Sequence, residues 1–138
     1  MRNKIECDIP GFVGNRLQFA VLREAMHILS EGIASAEDID VAMTSGPGLR
    51  YGLLGPLRTA DLGGLDVFCA ISKYLFAELN SDRCPSALLA ELVTAGKLGA
   101  KTGSGFFEYV DGESNAIIAR RDRVLLAFLK VLQDQESR

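Results

Sequence analysis

Asn15 is the first side chain in this sequence placed to do chemistry. It stands in Pro10-Gly11-Phe12-Val13-Gly14-Asn15-Arg16, at the opening of a long apolar run. An amide there adds nothing to helix propensity but offers both a donor and an acceptor. Taken alone, it reads as a helix cap or a surface amide. A second candidate is the pair Arg50 and Tyr51, within Gly46-Pro47-Gly48-Leu49-Arg50-Tyr51-Gly52-Leu53-Leu54-Gly55-Pro56, a loop stiffened at both ends. An arginine on such a loop is either solvated or grips a carboxylate with two parallel hydrogen bonds. The third is Gly96-Lys97-Leu98-Gly99-Ala100-Lys101-Thr102-Gly103-Ser104-Gly105-Phe106-Phe107. Its cations Lys97 and Lys101 can meet a phosphate or simply flank a turn.

None of these groups is a general base. Proton abstraction from a hydroxyl near neutral pH needs a group whose pKa lies close to 7. The single histidine, His27, comes twelve residues after Asn15, which is about 18 Å along a helix axis. It reads as a helix histidine and not as a base. A lone histidine without a nearby cysteine pair also leaves no zinc site, so no metal is expected. A dinucleotide fold requires Gly-x-Gly-x-x-Gly directly after a buried strand. Gly99, Gly103 and Gly105 do not meet that spacing, and Leu88-Leu89-Ala90-Glu91-Leu92-Val93 ahead of them is patterned as a helix. Lys97 is not set in a P-loop. The expectation is that this chain alone holds no nucleotide cofactor.

The elements that must position these residues read as helices separated by glycine. From about 14 to 31, Leu17, Val21, Ala25, Ile28 and Leu29 recur at helical spacing, widened by Phe19, Leu22 and Met26. That helix is apolar on more than one face and is expected to be covered on both sides. Ser35-Ala36-Glu37-Asp38 opens a short second helix that ends at Gly46-Pro47-Gly48. A loop is expected through Pro56, then a third helix bent or interrupted at Gly63-Gly64 and continued by Leu65, Phe68, Ile71, Leu75, Phe76 and Leu79. Pro85-Ser86 starts a helix that Gly96 stops. The stretch from 99 to 105 is loop, 106–110 a short extended piece, and a last helix begins near Asn115 with Ile118, Val124, Leu125, Phe128, Leu129 and Leu132 facing inward. The predicted fold class is all-α, a single helical domain of about five to six helices spanning 1–138.

Composition narrows the function classes. A chain of 138 residues with 48% apolar and 24% charged residues is an ordinary globular domain. A net charge of −3 with interspersed signs gives no polyanion-binding surface, so nucleic acid is not an expected partner. The longest apolar stretches are shorter than the ~18–20 residues of a membrane span, and the N-terminus lacks a signal-peptide core. Cys7, Cys69 and Cys84 are odd in number and widely spaced, which fits reduced thiols in a cytoplasmic protein better than a disulfide frame.

The two outer segments, taken in order with Glu37-Asp38-Ile39-Asp40, Gly55-Pro56-Leu57 and Asp61-Leu62-Gly63-Gly64-Leu65-Asp66 between them, resemble the C-terminal domain of the L-3-hydroxyacyl-CoA dehydrogenase family, over roughly residues 8 to 132. The resemblance implies a 6-phosphogluconate dehydrogenase C-terminal-like fold, a substrate-binding and dimerising role, and a homodimer. It also implies that NAD, the histidine base and its glutamate partner belong to a Rossmann nucleotide-binding domain in the complete enzyme. By the same resemblance Asn15 is the amide that hydrogen-bonds the substrate's 3-oxygen, and Lys101 a residue able to meet acyl-CoA. The Arg50-Tyr51 pair before Gly55-Pro56 resembles instead the lambda-crystallin and gulonate- or carnitine-dehydrogenase branch, which implies a free hydroxy acid held by Arg50 and Tyr51. Three readings therefore stand: the substrate half of a 3-hydroxyacyl-CoA dehydrogenase, the same half of a hydroxy-acid dehydrogenase, and a non-catalytic helical dimer scaffold.

Overall fold

The computed structural model describes residues 10–136, and Cys7 lies outside them. Among the described residues there are seven helices: α1 (Phe12–Ser30), α2 (Ala36–Ser45), α3 (Pro47–Leu54), α4 (Pro56–Gly63), α5 (Leu65–Glu78), α6 (Ala87–Thr94) and α7 (Glu113–Glu136). The all-α class is as expected. The additional helix is α3, where a loop was predicted through Pro56. Proline at its first position presets the helical backbone and wastes no donor, so a short turn-rich segment winds up despite its glycines. The break at Gly63-Gly64 is real, dividing α4 from α5.

The described chain forms two compact units, one up to Ala90 and one from Glu91. In the first unit the helices pack serially, α1 on α2, α2 on α3, α3 on α4 and α4 on α5. The start of α2 carries the predicted cap: Ser35 Oγ accepts from Asp38 N at 3.1 Å and donates to Asp38 Oδ2 at 2.9 Å. The loop 79–86 returns to α1, with Asn80 N donating to Glu24 Oε2 at 2.8 Å and Arg23 Nη1 donating to Asp82 O at 3.3 Å. Serial packing leaves much of α1 uncovered: among the described residues Met26 alone is buried, while Phe12, Leu17 and Phe19 are 60%, 52% and 62% exposed. The two-sided cover expected for α1 is therefore not supplied by its own unit.

In the second unit, α6 leads into a glycine-rich knot and then α7. Gly99 N donates to Ser104 O and Tyr109 N to Gly103 O, both at 2.8 Å, with an isolated bridge Gly99–Ser104 inside the predicted loop and a second, Ser104–Glu108, reaching the piece predicted to be extended. Gly105 is dictated by close approach, since a Cβ there would stand 2.8 Å from Gly99 Cα. Of the residues of α7 expected to face inward, Phe128 and Leu132 are half-buried, while Ile118, Val124, Leu125 and Leu129 are exposed, Val124 by 58%. One long helix has apolar residues on several faces, and a knot of a dozen residues is too small to cover them.

Candidate functional site

α1 is entered through Gly11 at φ 86°, and no side chain caps it. Phe12 follows at φ 53°, a left-handed conformation that costs an aromatic residue roughly 1–2 kcal/mol. Asn15 thus sits inside the first turn and not at the cap, which removes the helix-cap reading. Its side chain is exposed and makes no hydrogen bond to any described residue. Both the donor and the acceptor of this amide remain available to a ligand.

Arg50 and Tyr51 lie on α3 and not on a loop. Each is exposed, Tyr51 by 38%, and neither side chain has a hydrogen-bonding or ionic partner among the described residues. The helix that carries them is set by Gly46, because a Cβ at this position would lie 2.6 Å from Ala42 O in the last turn of α2. The clash partner is backbone and cannot swing away. Gly46→Ala is expected to destabilise the protein by about 1–3 kcal/mol, as overpacking against a fixed wall does, and to displace α3. Urea unfolding followed by circular dichroism measures the loss, and a midpoint unchanged from wild type would show that α3 has room to shift at no cost. α2 packs against both α1 and α3, which have no contact of their own, so Asn15 and Arg50 stand on helices bridged by α2.

Lys101 belongs to the second unit, exposed on the turn of the knot and unpaired among the described residues. Lys97 is engaged, its Nζ lying 3.4 Å from Glu108 Oε1. Glu108 also accepts from Ser104 Oγ at 2.8 Å, and Thr102 Oγ1 accepts from Leu98 N at 2.8 Å. These bonds close the knot on itself. A helix, α6, stands ahead of the knot in place of a strand, and Gly105 is closed against Gly99, which is not the strand–turn–helix layout that a dinucleotide pyrophosphate requires.

The Ser104 hydroxyl, with Lys97 beside it, holds the Glu108 carboxyl below its ordinary range. The folded state therefore prefers the carboxylate. Its contribution is complete above the ordinary glutamate range and is lost as pH falls through the lowered value. In a carboxyl-carbon NMR titration, Ser104→Ala is expected to raise the Glu108 midpoint. An unchanged midpoint would show that the hydroxyl does not support the carboxylate. Cys69 and Cys84 are exposed free thiols. Among the described residues no cluster of three or more His, Cys, Asp or Glu could hold a metal ion, and no helix is long and apolar enough to cross a membrane.

An all-α chain with an amide unpaired among the described residues in the first turn of its long first helix, and a glycine knot before its last, has the layout of a dehydrogenase's helical domain. Residues 11–109 match the family described as 3-hydroxyacyl-CoA dehydrogenase, C-terminal domain. The chain belongs to this family. It is 34% identical over 132 residues to 5-formyl-3-hydroxy-2-methylpyridine 4-carboxylate 5-dehydrogenase of Mesorhizobium japonicum, an alignment covering 96% of this chain and 43% of that protein. It is 39% identical to L-carnitine dehydrogenase of Nocardiopsis dassonvillei, covering 96% of this chain and 40% of that one. With 3-hydroxybutyryl-CoA dehydrogenase of Clostridioides difficile it shares 41% over 111 residues, 78% of this chain and 38% of that enzyme. The crystal structure of a 5-formyl-3-hydroxy-2-methylpyridine 4-carboxylic acid 5-dehydrogenase, an NAD+-dependent dismutase, superposes with a TM-score of 0.88 at 35% identity, over 91% of this chain and 41% of that one. The chain thus spans well under half the length of these relatives.

Proposed function

We propose that this chain is the substrate-binding and subunit-pairing domain of a 3-hydroxyacyl-CoA dehydrogenase that works with NAD. A Rossmann nucleotide-binding domain supplies the cofactor site and the base. The observation that carries this reading is the unpaired Asn15 amide, inside the segment matched to the family. Its Nδ2–H groups donate to the substrate's 3-oxygen, stabilising charge there as the carbon–oxygen bond gains carbonyl character. Lys101 offers a point charge to the phosphates of the acyl-CoA from its exposed turn. The uncovered apolar side chains of α1 and α5, Leu17 at 52% and Phe76 at 72% exposure among them, support pairing of two copies about a two-fold axis.

A second reading is favoured by one observation. Arg50 is exposed and unpaired on α3, and two relatives that align with 96% of this chain are named for substrates that bear a free carboxylate, a pyridine carboxylate and L-carnitine. In that case Arg50 grips the carboxylate, with Tyr51 beside it, and the substrate is a free hydroxy acid. The test is nucleotide reduction by the chain joined to a nucleotide-binding domain of its own family, with L-3-hydroxybutyryl-CoA and L-carnitine offered separately. Turnover of the thioester at least tenfold more efficient than of the acid supports the first reading; the opposite preference replaces it with the second; oxidation of neither by the folded protein leaves a scaffold. Sedimentation at micromolar concentration is expected to give twice the monomer mass, and a monomer well above that range would remove the pairing role.

A further inference from the structure

A cavity of about 490 Å³ lies between α1 and the loop that precedes α6, and Asn15, Arg50 and Tyr51 are not among its lining residues. Its wall is built, not incidental. Asn80 and Asp82 lock the loop internally, with Asn80 Nδ2 donating to Asp82 Oδ2 and Asp82 N donating to Asn80 Oδ1, both at 3.0 Å. Glu24 and Arg23 then tie that loop to α1 through its backbone. Ser86 Oγ reaches Met26 Sδ at 3.4 Å beneath it. Consecutive residues of one helix thus hold the loop in place, and the volume falls within the size range of sites for small organic ligands.

The lining has a distinct chemistry. Phe19, Met26 and Leu89 line it with apolar side chains, and Arg16, Arg23 and Arg83 are the three cationic residues of its lining. The one carboxylate in the lining, that of Asp82, already accepts from Asn80. Arg16 and Arg83 make no hydrogen bond or ion pair with described residues, and Arg23 gives only one donor to a backbone carbonyl. In a chain of net charge −3, this concave patch carries a local excess of two positive charges. Forked guanidinium donors match the oxygens of a phosphate, and an apolar floor with low-dielectric walls strengthens that attraction. We infer that this cavity binds a phosphate monoester dianion with a hydrocarbon body, its head met by Arg16, Arg23 and Arg83 and its body laid against Phe19, Met26 and Leu89. Two charges on the head match the local excess of two, which favours a phosphate over a carboxylate.

The test is an amide and arginine Nε NMR titration of the full chain with octyl phosphate below its aggregation concentration. Octanoate, octanol and inorganic phosphate serve as probes of single charge, no charge and no body. The expected result is saturable one-site binding of octyl phosphate, with shifts centred on residues 82–84 and on Arg23. Each of the other three probes should bind at least about tenfold more weakly, since each lacks a charged hydrogen bond or the apolar contact. Arg83→Gln removes no described protein contact and should weaken octyl phosphate by about tenfold, as should Arg23→Gln. Wild-type-like helical circular dichroism checks the fold of both. No saturable binding, shifts centred elsewhere, octanol or octanoate as tight as octyl phosphate, or full affinity in Arg83→Gln would each overturn the inference. So would tighter binding of an acidic peptide, which would make the patch a protein-docking surface. None of these residues enters the proposed role of Asn15, so this site stands or falls separately from the dehydrogenase reading.

Discussion

Asn15→Ala, placed in the complete dehydrogenase, is expected to lower kcat by roughly 10²-fold while leaving the affinity for NAD nearly unchanged. The magnitude is what loss of one preorganised donor to a developing oxyanion usually costs, about 2.7–4 kcal/mol of transition-state stabilisation. The structure sharpens the expectation, because Asn15 caps nothing and holds nothing: it lies past the N-cap of α1 with no side-chain partner among the described residues. Alanine at that position should therefore be neutral or slightly favourable for folding, alanine being the better helix former. A loss of kcat with undiminished stability would then belong to chemistry alone. Unchanged kcat would remove Asn15 from the site, and a loss of kcat that tracks a loss of stability would make it a structural residue after all.

Arg50→Ala has the second largest expected effect, and it is selective. If Arg50 grips a carboxylate, KM for hydroxy acids should rise roughly tenfold to hundredfold, the worth of a charge-assisted hydrogen bond at about 1.5–3 kcal/mol. Acyl-CoA thioesters have no free carboxylate at that end and should keep their KM. The measurement is the pair of KM values for an acid and a thioester in wild type and variant. Equal changes on both would make Arg50 a residue that supports α3 and not one that reads substrate. Arg50→Lys adds a control, since a lysine keeps the charge and loses the planar fork; partial rescue is expected.

Helix content was legible in the sequence because local chemistry fixes it. The apolar repeat around Leu17, Val21, Ile28 and Leu29 has a helical period, and α1 occupies Phe12–Ser30. Ser35 with Asp38 three residues on has the donors and acceptors of a cap, and the cap forms. Gly63-Gly64 breaks a helix wherever it falls, and it divides α4 from α5. The misreading of α3 has an equally local cause. Four glycines between Gly46 and Pro56 argued for loop, but Pro47 at the first helical position and the tight approach of Gly46 to Ala42 O made a short helix the way to turn the chain. The family segments were legible for the same reason: Gly-Phe-Val-Gly-Asn-Arg and the glycine knot are contiguous, so their residue order is all that recognition requires.

Burial was not legible, because it depends on partners remote in sequence. Apolar faces on α1 and α7 predicted coverage, yet Met26 alone is buried among the described residues and most of those side chains remain open. Periodicity marks a face as apolar without saying what covers it. The clamp on α1 was equally hidden, since Glu24 meets Asn80 and Arg23 meets Asp82 across more than fifty residues of chain. Arg16, Arg23 and Arg83 carried no signal as a group in the sequence, where the first two are helix-surface charges and the third sits in a polar loop; only the return of residues 79–86 onto α1 makes them one cavity wall. The sequence by itself determined which helices form, where they break, and the order of family segments, since hydrogen bonds and sterics within a few residues decide those. The tertiary structure alone decided that Lys97 is spent on Glu108 while Lys101 is free of described partners, and that three distant arginines line one hollow, because each depends on contacts between residues whose spacing along the chain carries no information about their distance in space.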